Sequence, residues 1–63
     1  MRLLVNYGAR VVLVVDVDAD GAIIRWDAED ASTGARAELS NVDKWRALPV
    51  MHQAIARMAR GAA

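Results

Sequence analysis

The chain has 63 residues, eight basic against eight acidic side chains, no cysteine and a hydrophobic share of 56%. One small domain spanning 1–63 follows, and disulfide scaffolds, zinc fingers, CxxC redox sites and cysteine nucleophiles are excluded. The zero formal net charge removes the generic case for nucleic acid or anionic membranes, which needs a basic excess.

Near the N-terminus, Asn6, Gly8 and Arg10 break the apolar run before it reaches the length of a secretory signal. The longest uninterrupted apolar run, Val11 to Val15, is far too short to cross a bilayer. The chain therefore reads as cytoplasmic. Leu3 to Tyr7 is a short β-prone segment, and Gly8-Ala9 as a type II′ turn pairs Val5 with Val12 and Leu3 with Val14.

Arg10 to Glu29 reads RVVLVVDVDADGAIIRWDAE, two β-rich stretches around Asp20-Gly21, which is a strong short-range hairpin signal. With Asp20 and Gly21 as the central residues of a type I′ turn, Val17 faces Ile24, Val15 faces Trp26 and Leu13 faces Ala28, all on one apolar face. The other face pairs Asp16 with Arg25 and Val14 with Asp27. Asp30 to Gly34 has loop chemistry, and Ala35 to Leu39 alternates in a way that suits a further strand or an irregular segment.

From Ser40 the period changes. Ser40 or Asn41 serves as N-cap, and Trp45, Leu48, Met51, Ile55 and Met58 form an apolar stripe. Pro49 divides this region into a short helical turn over 42–48 and a main helix beginning at the proline. Arg57 and Arg60 complement the helix dipole, and Gly61 sits at the position that follows a helix end. The expected fold is α+β: a small antiparallel sheet of three or four strands within about 2–39, followed by a C-terminal amphipathic helix within about 42–60.

One helix covers one sheet face. In this register Leu3, Val5, Val12 and Val14 gather on the other, and an apolar face needs a cover. A closed barrel provides one, and a homodimer interface at these four residues provides another, favoured because association enlarges a marginal core. Charge is divided along the chain: up to residue 33 three arginines stand against six acids, a net −3, and the remainder carries a net +3. The hairpin residues Asp16, Asp18, Asp20, Arg25 and Asp27 thus form a candidate surface for a protein partner. The alternative is a nucleic-acid-binding accessory protein using Lys44, Arg46, Arg57 and Arg60 of the basic helix.

The segment from Asp16 to Asp27 places acids at its first, third, fifth and twelfth positions and glycine at its sixth. Oxygen ligands at alternate positions can wrap a hard cation while the glycine permits the sharp turn. In this the segment resembles the calcium loop of EF-hand and dockerin proteins, which implies a calcium-binding loop at 16–27 as a second alternative. It departs from the family in having a valine run where the entering helix belongs, and Asp27 where EF-hands place glutamate. A hairpin explains the same residues without a metal. His52 is the single histidine, with no nucleophile or acid at a spacing that makes a relay. The expectation is a small non-enzymatic protein-interaction module, a homodimer without cofactors, acting as an adaptor or inhibitor of the kind phages and mobile elements carry.

Overall fold

Five valines and a leucine crowd the segment Val11–Val17 (β2), and their branched side chains make it the central strand of the sheet. It is flanked antiparallel by Arg2–Tyr7 (β1) and Ile23–Asp30 (β3), in the order β1-β2-β3. A helix, Asn41–Gly61 (α1), follows. The structure, a computed structural model, describes residues 1–61. The α+β fold expected from the sequence is present, with three strands in an open sheet.

The helix covers one face of that sheet. Leu13, Val15 and Val17 of β2, Ala28 of β3 and Ala47 and Met51 of α1 form the buried core. Leu3, Val5 and Tyr7 of β1, Trp26 of β3 and Leu48 and Ile55 of α1 pack around it. Alternation along β2 sorts the strand, since residues 13, 15 and 17 are buried while 12, 14 and 16 are partly exposed.

Pairing of β1 differs from the expected register by one residue. Tyr7 faces Val11, Val5 faces Leu13 and Leu3 faces Val15, so the loop holds three residues, Gly8, Ala9 and Arg10. Gly8 enters it at φ 73°. A shift of one residue exchanges the faces of a strand, and the observed choice buries Leu3, Val5 and Tyr7 under the helix. It also brings the Tyr7 hydroxyl to 3.3 Å from Asp43 Oδ1 of α1, to which it donates. The predicted gathering of Leu3, Val5, Val12 and Val14 on one face is therefore corrected: Leu3 and Val5 belong to the covered face, Val12 and Val14 to the open one.

The β2–β3 hairpin keeps the expected pairs Leu13–Ala28, Val14–Asp27, Val15–Trp26 and Asp16–Arg25. Nearer the turn it departs. Asp18 N–H donates to Ala22 C=O at 3.0 Å and Gly21 N–H to Asp18 C=O at 3.1 Å, so the connection is a longer turn than a two-residue type I′. Gly21 takes φ 84°, and Asp18 Oδ1 accepts from the amides of Asp20 and Ala22, both at 2.9 Å. The extra loop residue is recovered at a β-bulge, where Val17 pairs with Ile23 in place of Ile24. Ile24 is left out of the ladder and 65% exposed.

Residues 35–39 form no full strand. A single bridge joins Arg36 to Glu29, supported by Ala37 N–H to Ala28 C=O at 2.8 Å. Asp30 Oδ1 holds the preceding loop, accepting from Ser32 N–H, Ser32 Oγ and Thr33 N–H.

Ser40 caps α1: its Oγ accepts from Asp43 N–H at 3.1 Å and donates to Asp43 Oδ2 at 3.0 Å. The helix then runs unbroken through Pro49, where two helical pieces were expected. Burial of Ala47, Leu48, Met51 and Ile55 on one continuous stripe outweighs the hydrogen bond that proline cannot donate. Trp45, assigned to that stripe from its spacing, lies outside it at 74% exposure, and Ala47 takes the inward position. Gly61 is the last helical residue and does not adopt the positive φ of a left-handed terminator.

Candidate functional site

The sheet face away from α1 is built from three cross-strand rungs. Successive residues of a strand point to opposite sides, so the observed pairing places Arg2, Asp16 and Arg25 on one rung. Leu4, Val14 and Asp27 make the middle rung, and Asn6, Val12 and Glu29 the third. Leu4 is 71% exposed, while Val12 and Val14 are half-buried. These three form an apolar strip across β1 and β2.

At one end of the strip Asp16 lies between two arginines. Arg2 Nε donates to Asp16 Oδ1 at 3.0 Å and Arg25 Nε to Asp16 Oδ2 at 3.1 Å. The hydrogen bond from Arg2, then that from Arg25, holds the Asp16 carboxyl below the usual carboxylate range. The same bond raises the already high pKa of Arg2. This rung carries two cations and one anion, whereas the far rung carries Glu29 alone. The face is thus positive at the turn end of the β2–β3 hairpin and negative at the other.

The other acids expected to meet a partner are dispersed. Asp18 is engaged by its own turn, Asp20 is exposed on that turn, and Asp27 Oδ1 lies 4.0 Å from Arg36 Nη2. Asp16 is occupied by its two arginines, and among the described residues no three acid, histidine or cysteine side chains converge on a common point. Within the segment 16–27, residues 16–17 and 23–27 lie in the paired strands β2 and β3, and Asp18 closes the turn between them.

On α1 the basic residues divide. Arg46 and Arg57 share the side of Asp43, which faces β1 through Tyr7, whereas Lys44 lies with Trp26, Trp45 and Leu48 beside β3. Arg60 stands in the last turn. The four do not make one strip. His52 is exposed. Partial burial under the helix, then the Asp43 carboxylate, raises the pKa of the Tyr7 hydroxyl.

Next to Lys44 an open groove of about 330 Å3 runs between β3 and the segment before α1, lined by Trp26, Asp27, Arg36, Glu38 and Lys44 among others. Its two acids offset its two bases. Sequence reasoning missed Trp45 and Val42, exposed at 74% and 58% on the outer side of the helix start; a stripe drawn through Ala47, Met51 and Ile55 excludes both. It also missed Leu4 and Ile24, because each depends on a loop one residue longer than its turn sequence indicates. No helix among the described residues is long and apolar enough to cross a membrane. The chain matches no protein-family model, and no match to it is found among curated proteins or solved structures.

Proposed function

We propose that the chain is a small non-enzymatic protein-interaction module, an adaptor or inhibitor that works by laying the uncovered face of its sheet against a protein partner. One observation carries this reading: Leu4, Val12 and Val14 form an apolar strip on a face that α1 leaves open, framed by charges at both ends. Apolar surface of this kind, rimmed by polar groups, marks interaction sites. The working surface moves accordingly from the acidic hairpin tip to the sheet face, with Arg25 and Asp27 as its charged border. Asp18 is spent on local structure and Asp16 on its arginine pair.

The test is site-specific photo-crosslinking in cells. A photoreactive residue in place of Leu4 should give discrete crosslinked protein bands, and the same group in place of Gln53, exposed on the helix, should not. Equal labelling from both positions, or none from Leu4, overturns the reading.

A further inference from the structure

The reading above, on which this inference rests, leaves the occupant of the face unnamed. We infer that it is a second copy of this chain, packed face to face with its strands reversed. The argument is charge complementarity under a two-fold axis.

A closed pair of identical chains buries the same patch on both, so the patch must complement itself. Two arrangements keep the strands aligned. With the axis parallel to the strands, β1 lies over β3 of the second copy. Arg2 then meets Arg25 of that copy, and Leu4 is pressed against a carboxylate, Asp27. The first contact is unfavourable, since like charges repel.

With the axis across the strands, each strand lies over its own counterpart in reverse. Leu4 meets Leu4 and Val14 meets Val14 at the axis. The positive rung then covers the negative one, so that Arg25 reaches Glu29 of the second copy twice by symmetry, Arg2 lies over Asn6, and Asp16, still held by Arg2 and Arg25 of its own chain, lies over Val12. Asp27 falls over its own counterpart at the edge of the sheet, where Arg36 lies 4.0 Å from each carboxylate. This arrangement sets Leu4 and Val14 against their own counterparts and pairs Arg25 with Glu29 at both ends of the face.

The area sets the strength. Three strands about 4.8 Å apart and a span of about six residues at about 3.3 Å each give a patch near 300 Å2 per copy. Standard interfaces bury about 800 Å2 per partner. The pair is therefore reversible, forming and dissociating with concentration.

Sedimentation equilibrium over a range of concentrations at low salt tests the inference. The wild-type chain should pass from monomer to dimer, and Leu4→Lys, at a position outside the core, should remain a folded monomer by circular dichroism. Arg25→Glu and Glu29→Arg should each weaken the dimer about tenfold, and the double variant R25E/E29R should restore most of that loss. A wild-type chain that stays monomeric, a dimer indifferent to Leu4→Lys, or a double variant no better than the singles overturns the inference. Crosslinks from position 4 to a protein of another mass, with a monomeric chain, preserve the interaction reading and reject the second copy. No crosslink and no dimer reject both.

Discussion

Asp30 shows how one side chain replaces missing secondary structure. Ala31 to Ala35 cannot pair in the sheet, yet their amides must be satisfied. Asp30 Oδ1 takes three donors, from Ser32 Oγ at 2.6 Å, Ser32 N–H at 2.8 Å and Thr33 N–H at 3.2 Å. The Ser32 hydroxyl, then the two amides, stabilises the carboxylate and lowers its pKa. A carboxyl whose folded pKa is depressed contributes stability that is complete above its unfolded pKa of about 3.9 and is lost as pH falls through the lower folded value. Asp30→Asn should therefore lower Tm at neutral pH, and the gap between variant and wild type should narrow below about pH 4. Thermal melts from pH 7 to pH 2 measure it; a gap that stays constant to the acid end contradicts the assignment. Asp16 follows the same sign, with its arginine partners exposed on the surface and screened by solvent.

Among the elements, α1 carries the clearest internal conflict. Pro49 lies eight residues into a helix of 21 residues and has no N–H to donate to the carbonyl of Trp45. Its exposed position lets the ring face solvent, while Ala47, Met51 and Ile55 hold the turns on either side against the sheet. Pro49→Ala should restore the bond and stabilise the fold by about 1–3 kcal/mol. For a domain this small each kcal/mol corresponds to roughly 4–8 °C in Tm, so calorimetry resolves the change; an unchanged or lower Tm shows that the proline is compensated locally. The same conflict limited what the sequence revealed. Propensity read Pro49 as a boundary, and tertiary burial overruled it. The centre of the β2–β3 hairpin was legible because sorting of Val15 and Leu13 from Asp16 and Val14 fixes its register. Its tip was not, since Asp18 makes a longer turn competitive by accepting two backbone amides, and a bulge absorbs the difference. For β1, turn chemistry at Gly8-Ala9 favoured the shorter loop, and burying Leu3, Val5 and Tyr7 decided for the longer one.

On the scale of the whole molecule, six of the described residues are buried, and all lie between one sheet face and one helix. A second layer on the other face adds burial that the chain cannot supply to itself, so association and stability are linked. A species that binds only the folded state raises its apparent stability by mass action. Once concentration exceeds the dissociation constant, each tenfold increase stabilises the dimer by about 1.4 kcal/mol, or about 0.7 kcal/mol per chain. The wild-type Tm should accordingly climb by a few degrees per decade of concentration. Leu4→Lys should flatten that slope without lowering the Tm found at the dilute limit, because Leu4 lies outside the buried core. Differential scanning calorimetry across two decades of concentration separates the outcomes. A flat wild-type slope removes the linkage, and a variant that melts lower even when dilute shows that Leu4 stabilises the monomer instead of the pair.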